Sequence, residues 1–355
     1  MEDALEIGYR DALARTAGRR RNLLLGNGFS IAARTQFRYE ALRSAADQID
    51  YARGILGGHE GTNIEDLMAS LLDALETAYE RDKIDDAHSI EQQLAGLRRL
   101  LVDTVTLVHP GSSYAMRHAE LESCAAFLAP YIGRATVPPG IVFTVNYDLL
   151  LYWTVVTFGA RGPGRKLQFN DAFQGKSWLP ERMGNANLSV VFLHGSLHIF
   201  DAEGRILRVR YEHGSAPKNL ITQIRERLAA KDLPVFVAEG NAERKLRHIN
   251  ANPYLREALA KFRFACRDPR DSLFTVGHSL SPQDGHLMDL VGRGTIGRVF
   301  VGAYGGRDST DGRRAVELAC QWREMRESAR RPAPLEVCIF NSQECEIWTG
   351  ASQAT

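Results

Sequence analysis

Four short polar segments could each do chemistry, and each directly follows or ends a run of apolar residues. They are Gly-Asn-Gly-Phe-Ser at 26–30, Thr-Val-Asn-Tyr-Asp at 144–148, Leu-His-Gly-Ser at 193–196 and Gly-His-Ser-Leu-Ser at 277–281. The apolar runs are too continuous for strands with one wet face, and they are typical of parallel strands covered on both sides. Ligands of open α/β sheets bind outside the carboxyl ends of such strands. The sequence therefore predicts that these segments converge on one site.

The segment 26–30 has the residue types of a diphosphate-binding loop. Glycines allow positive φ and close backbone approach, so that backbone amides can point at phosphate oxygens. The Gly-x-Gly pattern is weak alone, because the third glycine of the usual dinucleotide fingerprint is missing and residue 31 is Ile. A tight structural turn at Gly26 and Gly28 is an equal alternative.

The segment 144–148 places a carboxamide and a carboxylate at a strand end. The amide of Asn146 can both donate and accept hydrogen bonds, so it could hold a water molecule or a ribose hydroxyl. The alternative is structural, because Asn and Asp are preferred residues for capping a helix such as the one predicted after Asp148.

A histidine ends the third strand. Histidine is the side chain most easily poised for proton transfer near neutral pH, so His194 could act as an acid or a base. The alternative is a core histidine whose ring is hydrogen-bonded to backbone. The neighbouring polar strand ends favour the chemical role.

The segment 277–281 nearly matches the nucleophile elbow Gly-x-Ser-x-Gly, with Ser281 in place of the second glycine. Asp284 and His286 follow on the first turns of the next predicted helix, where the partners of a triad rarely lie. Contact of this loop with an anion or a ribose is therefore favoured. A serine hydrolase that uses Ser279 as nucleophile remains an alternative.

Composition excludes several other classes of protein. Lys plus Arg number 44 and Asp plus Glu 43, so the net charge of +1 gives no overall attraction to nucleic acid or anionic membranes. No apolar run is long enough to span a bilayer and the N-terminal segment does not resemble a signal peptide, so we expect a cytoplasmic protein. The five cysteines include no Cys-x-x-Cys pair and the histidines lack ligand spacing, so no metal is expected.

These elements predict an α/β fold with a Rossmann-like parallel sheet of about six strands, helices on both faces and a helical insertion. Apolar runs at 298–301 and 335–340 supply the fifth and sixth strands, and helical patterns occur at 64–75, 87–108 and 116–130. The predicted core comprises 1–35, 136–200 and 263–350, with a helical insertion at 36–135 and a second, mixed insertion at 201–262.

In chain order, the four segments resemble the Gly-Ala-Gly-x-Ser, Thr-Gln-Asn-Ile-Asp, His-Gly and Gly-Thr-Ser motifs of sirtuins. The sequence is most similar to the bacterial sirtuin-like proteins that hydrolyse NAD in antiphage defence. It lacks the four-cysteine zinc module of the protein-deacylating sirtuins, and only Phe37 and Arg38 echo their Gly-Ile-Pro-x-Phe-Arg loop. The resemblance therefore implies NAD chemistry without peptide deacylation.

The resemblance implies an NAD⁺ glycohydrolase that releases nicotinamide and ADP-ribose, with NAD as substrate and no metal. It makes Asn146 the residue that holds the ribose or the water, and His194 the general base. It implies the following NAD-binding residues: Gly26, Asn27, Gly28 and Ser30 near the diphosphate, Asp148 at the nicotinamide carboxamide, and Gly277, His278, Ser279 and Asp284 at the adenosine end.

The resemblance also implies partners. Such enzymes deplete NAD only when triggered, form homo-oligomers, and can work with a partner such as a hexameric DNA-translocating ATPase. A non-catalytic sensor that binds NAD or ADP-ribose is the alternative from a different class of protein.

Overall fold

The computed structural model of the 355-residue chain describes residues 4–56, 63–160, 166–210, 219–238, 240–329 and 333–349. The α-helices are α1 (Tyr9–Arg15), α2 (Asn27–Ala33), α3 (Tyr39–Ala46), α4 (Ala52–Leu56), α5 (Ile64–Glu80), α6 (Ile84–Val108), α7 (His118–Ile132), α8 (Leu150–Val155), α9 (Leu220–Ala229), α10 (Ala242–Ala251), α11 (Pro253–Ala265), α12 (Gly285–Arg293) and α13 (Thr310–Glu327). The strands are β1 (Leu5–Glu6), β2 (Arg21–Leu25), β3 (Val142–Thr144), β4 (Phe173–Gln174), β5 (Ser177–Trp178), β6 (Val190–Phe192), β7 (Gly195–Ala202), β8 (Arg205–Arg208), β9 (Pro234–Phe236), β10 (Ser272–Val276), β11 (Arg298–Ala303) and β12 (Glu336–Asn341).

Within the described residues, seven strands form a parallel sheet in the order β1-β12-β11-β10-β2-β3-β6. The six predicted strands are all present, because their continuous apolar runs require cover on both faces. The seventh strand, β1, has only two residues, too few for any periodic pattern. The strand order reverses at β2, which lies between β3 and β10. This is where ligands bind in doubly wound sheets.

Helices cover both faces of the parallel sheet. Phe143 pairs in register with Leu24 and Leu24 with Thr275, so Phe143 and Phe274 project to opposite faces. Tyr131 of α7 packs against Phe274, with ring centroids 5.4 Å apart. Phe262 of α11 packs against Phe143 at 5.1 Å on the other face. The Rossmann-like α/β fold is therefore the one predicted.

The described residues also form a second, antiparallel sheet of five strands in the order β4-β5-β8-β7-β9, which the sequence did not indicate. Strand β7 begins at Gly195, directly after the predicted strand end at His194. Gly195 has φ +77°, and a Cβ there would lie 2.0 Å from the carbonyl oxygen of Val235. Glycine thus lets the chain turn from the large sheet into the small one.

The three helices predicted at 64–75, 87–108 and 116–130 are confirmed as α5, α6 and α7. Helices α5 and α6 pack on each other, and α7 packs on β2. Helix α11 continues past residue 262, where the second insertion is predicted to end. The division into domains stays a prediction. Of the helices in the described ranges, none has the length and apolar character that crossing a membrane requires.

Candidate functional site

The carboxyl ends of β3 and β6 bring Asn146 and His194 to the same edge of the sheet. Thr144 and Phe192 are partners in the parallel register, and Asn146 and His194 each lie two residues beyond them. The amide of Leu193 donates to the carbonyl of Thr144 at 2.8 Å, which continues the alignment past the strands. The loops after β2 and β10 lie at the same edge, because those strands are also paired in parallel. All four polar segments therefore line one edge of the sheet.

The glycines of the loops after β2 and β10 are required because the two loops touch. The amide of Gly28 donates to the carbonyl of Gly277 at 2.8 Å. A Cβ on Gly26 would lie 2.5 Å from the Cα of His278, and one on Gly28 would lie 2.7 Å from the Cα of Gly277. The structural turn considered for Gly26 and Gly28 is thus present, and the backbone amides of Gly26, Gly28 and Phe29 all donate to protein carbonyls. Their contact with a diphosphate stays a prediction.

Side chains of this first loop hold its neighbours in place. The Asn27 amide donates to the carbonyl of Phe37 at 3.1 Å, which fixes the chain after α2. Ser30 is buried and donates from its hydroxyl to Asp148 Oδ2 at 2.5 Å. Ser30 also accepts a hydrogen bond from Asn146 Nδ2 at 2.9 Å. Ser30 therefore connects the β2 loop to both polar residues of the β3 loop.

Asn146 has a fixed amide group and one unsatisfied atom. Its Nδ2 donates to Gly26 O at 3.0 Å as well as to Ser30, which sets the orientation of the amide. Its Oδ1 is buried and has no hydrogen-bond partner in the described part of the chain. A buried carbonyl oxygen without a donor costs about 1–3 kcal/mol. The unpaired Oδ1 is therefore an acceptor held ready for a hydroxyl or a water.

Asp148 has protein partners on both carboxylate oxygens. Oδ2 accepts from Ser30, and Oδ1 accepts from the amide of Leu150 at 2.8 Å at the start of α8. Burial raises the pKa of Asp148, while these hydrogen bonds oppose the shift. The capping role weighed from the sequence is therefore present. Recognition of a nicotinamide carboxamide by Asp148 stays a prediction.

His194 is the centre of a buried cluster of titratable side chains. Its Nε2 lies 3.2 Å from Nε2 of His286, with the two rings stacked at 5.4 Å, and 4.0 Å from Oδ1 of Asp284. Burial lowers the pKa of His194 well below its usual value; Asp284 opposes this shift and the charge of Lys245 adds to it. Burial likewise lowers the pKa of His286 to about 4. His194 is therefore neutral at pH 7.

Asp284 carries the negative charge of this cluster and faces two basic side chains. Lys245 Nζ lies 2.9 Å from Oδ1, and His278 Nε2 lies 3.4 Å from Oδ2. His278 Nδ1 accepts from the amide of Leu280 at 3.0 Å, so its proton is on Nε2, facing the carboxylate. Burial would raise the pKa of Asp284, but the imidazoles of His278 and His194 and the ammonium group of Lys245 hold it well below its usual value.

The structure brings together three side chains of types that commonly bind metals, one of which lies about ninety residues before the other two in the sequence. One donor atom from each of His194, Asp284 and His286 lies within 4.8 Å of the others. The ammonium group of Lys245, however, already pairs with Asp284 Oδ1, the oxygen that also faces His194. A cation supplied by the chain thus balances the carboxylate. That the site works without a metal stays a prediction.

Sequence reasoning missed four residues at this edge: Glu65, Tyr147, Lys245 and His286. Tyr147 was passed over between Asn146 and Asp148, although its hydroxyl donates to Glu65 Oε1 at 3.0 Å. Glu65 and Lys245 lie in the segments predicted as insertions. One signal was available for Lys245, because it shares the buried face of α10 with Ile249, where a lysine is unexpected.

Ser279 lacks the partners of a serine nucleophile. It is exposed, and no histidine or carboxylate among the described residues hydrogen-bonds to its Oγ. The Nδ1 of the adjacent His278 is used by the Leu280 amide, and its Nε2 faces Asp284. The elbow-like motif therefore does not assemble a triad in this structure.

Two surface cavities of about 400 Å³ each lie away from this edge. One is between α5 and α6 and includes Thr77 and Ile90, and the other includes Asp171 and Arg208. Asn146, His194 and Asp284 are at most 9% exposed. The described conformation therefore closes the sheet edge over the polar cluster.

Comparisons with known proteins give a family and distant similarities to solved structures, two of which are Sir2 homologues. No curated protein matches the chain. A triple mutant of a Sir2 homologue, in complex with 2'-O-acetyl ADP ribose, is 11% identical over 90% of this chain and 98% of its own, with a TM-score of 0.34. A Sir2 homologue in complex with NAD is 12% identical over 92% of this chain and 97% of its own, with a TM-score of 0.35. Because both TM-scores are this low, these similarities carry no argument about the function of the chain.

A family model covers nearly the whole of the described chain. The model carries the description "domain of unknown function (DUF4917)" and matches residues 23–348. The matched range spans the parallel sheet from β2 to β12 and includes every residue of the polar cluster. The chain therefore belongs to the DUF4917 family.

Proposed function

We propose that this protein is an NAD⁺ glycohydrolase that cleaves the nicotinamide–ribose bond with water. One observation carries the proposal: the unpaired acceptor of Asn146 and the neutral imidazole of His194 lie together at the sheet edge, beside the strand where the order reverses. The sequence resemblance to sirtuin motifs supports the same substrate. Protein deacylation is not proposed, because the cysteines of a zinc module are missing.

The reaction breaks the bond between ribose C1' and the pyridine nitrogen, and the electron pair leaves with neutral nicotinamide. The ribose then carries the positive charge of an oxocarbenium ion until water adds at C1'. In this proposal, Asn146 Oδ1 accepts a hydrogen bond from a ribose hydroxyl or from that water. His194 takes the proton that water loses, so the products are ADP-ribose, nicotinamide and a proton. Preorganised dipoles in a closed site supply most of the rate enhancement.

The closed edge favours an enzyme that needs a trigger. NAD can reach groups that are less than a tenth exposed only after the loops or helices above them move. We therefore propose that the protein is a silent, cytoplasmic NAD-depleting effector of antiphage defence, activated in a homo-oligomer and with a partner such as a hexameric DNA-translocating ATPase. This finer proposal rests on the sequence resemblance.

The test is incubation of the full chain with NAD⁺, followed by chromatography for nicotinamide and ADP-ribose. We expect the wild type to release nicotinamide in its activated, assembled state, and Asn146→Ala to lose about 10²–10³-fold of that rate with unchanged circular dichroism. The matched control is Asn185→Ala, which truncates an exposed asparagine and should keep the wild-type rate. Near wild-type activity of Asn146→Ala would remove the assignment. NAD binding by calorimetry without nicotinamide release, even in the assembled state, would favour the sensor.

A further inference from the structure

Among the described residues, the carboxylates tied to the polar cluster differ in how many of their oxygens are engaged. Asp284 accepts from Lys245 on Oδ1, and its Oδ2 lies 3.4 Å from His278 Nε2, which forms no hydrogen bond within the described residues. Asp148 accepts from Leu150 on Oδ1 and from Ser30 on Oδ2. Glu65 accepts only from the Tyr147 hydroxyl on Oε1, and no described residue hydrogen-bonds to its Oε2.

Glu65 is aimed at the sheet edge by two elements. It lies in the first turn of α5, where Asn63 Oδ1 accepts from its backbone amide at 3.1 Å and fixes the start of the helix. Its partner Tyr147 lies between Asn146 and Asp148, and the Tyr147 carbonyl accepts from the Leu197 amide at 2.8 Å. That bond ties the β3 loop to the strand that begins directly after His194. Glu65 therefore belongs to the same edge as the proposed catalytic pair.

The helices from the two predicted insertions are held against each other near Glu65. Arg244 of α10 donates to Glu76 of α5 from Nε at 3.2 Å and from Nη2 at 2.6 Å. The next residue, Lys245, points into the cluster and pairs with Asp284. Glu65 is only partly buried, in contrast to Asp284 and Asp148. Of these three carboxylates, Glu65 is thus the most exposed, and no described residue hydrogen-bonds to its Oε2.

We propose that Glu65 is a catalytic residue whose free carboxylate oxygen faces the reacting ribose and stabilises the oxocarbenium ion. The inference rests on the proposed NAD⁺ hydrolysis and adds a group supplied by the helical segment to the residues of the sheet. The carboxylate forms no covalent bond in this step. Its negative charge offsets the positive charge that C1' and the ring oxygen gain as nicotinamide leaves, and water then adds while His194 takes its proton.

The charges around Glu65 set the pH at which it is ionised. Burial raises the pKa of Glu65 to about 7; Lys245 and the Tyr147 hydrogen bond lower it, while Asp284 and Asp66 raise it. The charge of Glu65 in turn raises the pKa of nearby Tyr39 of α3. Only the ionised carboxylate can stabilise the transition state, so kcat should rise with pH through about 7. His194 does not produce this limb, since its pKa lies well below that range.

The test compares Glu65→Gln with Asp66→Asn, a matched change at the adjacent, exposed first-turn acid. Glutamine keeps an acceptor for the Tyr147 hydroxyl, so the fold should be preserved, which thermal unfolding would verify. We expect Glu65→Gln to lose about 10²-fold in kcat and to lose the pH limb near 7. Asp66→Asn should retain kcat within about twofold at pH values where Glu65 is ionised.

Tyr147→Phe supplies a second readout that a purely structural role of Glu65 would not move. Removing the phenolic donor takes away a hydrogen bond that lowers the pKa of Glu65, so the midpoint of the limb should shift upward. If the wild type hydrolyses NAD⁺ and Glu65→Gln is equally active with the same pH dependence, only the role of Glu65 is overturned. A wild type that binds NAD without releasing nicotinamide in any state would overturn the proposed function and the role of Glu65 together.

Discussion

Two buried histidines, four residues apart in the sequence, occupy regions of opposite character. His194 lies at the edge of the parallel sheet, and His198 lies in β7 of the antiparallel sheet. Burial lowers the pKa of both imidazoles well below the usual value. His198 Nδ1 is 2.8 Å from the Ser196 hydroxyl, and its ring stacks on Tyr152 at 4.1 Å. Burial and a shifted pKa therefore do not separate a site from a core.

The difference lies in the charged groups that surround each histidine. Each region contains a buried pair of basic and acidic side chains, Lys245 with Asp284 and Arg208 with Asp171. The guanidinium of Arg208 lies over the Phe173 ring at 5.0 Å, and the Arg208–Asp171 pair lines a surface cavity. The Lys245–Asp284 pair instead adjoins the imidazoles of His194, His278 and His286, which lie after β6, after β10 and in α12. Proton-accepting groups that converge from distant parts of the chain are what mark the first region as a site.

The largest expected effect separates the two histidines directly. His194→Ala should lower the rate of nicotinamide release by about 10²–10⁴-fold, because it removes the group that takes the proton from water. His198→Ala should instead lower the free energy of unfolding by about 2–4 kcal/mol, because it leaves a cavity beside Tyr152, and should keep kcat per folded molecule. Rate assays and urea denaturation of both variants measure this. Loss of turnover in His198→Ala with an intact fold would contradict the assignment of His198 to the core.

A smaller effect concerns the lysine that balances the first region. Lys245→Met should lower the free energy of unfolding by about 3 kcal/mol, because it leaves the Asp284 carboxylate buried without its cation. Arg247→Met is the matched control on the same helix, where pairs with the exposed Glu243 and Glu76 should contribute little to stability. Chemical denaturation at neutral pH compares the two. Equal stability losses would show that Lys245 is an ordinary surface charge.

The smallest effect is expected at Ser279. Ser279→Ala should change the rate of NAD⁺ hydrolysis by less than about twofold, because the side chain is exposed and without a base. Incubation of the wild type with a fluorophosphonate probe should give no labelling at this residue. Stoichiometric labelling of wild type that Ser279→Ala abolishes would instead identify a serine hydrolase and move the chemistry away from His194.

The strands that carry the site could be predicted, because two-sided burial leaves continuous apolar runs in the sequence. The polar residues that end these runs, among them Asn146 and His194, followed from the same pattern. The antiparallel sheet could not be predicted, since β7 is buried without interruption from Gly195 to Phe200 and its pairing depends on strands far along the chain. Short strands such as β4 and β5 carry no period of their own.

Part of the site could not be predicted from local sequence patterns either. Glu65 looks like an ordinary first-turn acid that favours a helix start. Its link to Tyr147 exists only because α5 packs over the sheet edge. His286 was set aside because its spacing from Ser279 suggested a poor triad, whereas its contact is with His194, 92 residues away in the sequence. Residues of one active site become neighbours through the fold, so spacing alone cannot pair them.

The central claim is that the cluster around His194 faces a pyridine dinucleotide and the region around His198 does not. The most direct measurement is titration of histidine-labelled protein with ADP-ribose, observed through the imidazole nitrogen resonances. The account predicts that the signals of His194 and His286 shift in a saturable manner, while that of His198 stays in place. Shifts confined to His198, or no shift of any imidazole at saturating ADP-ribose, would contradict it.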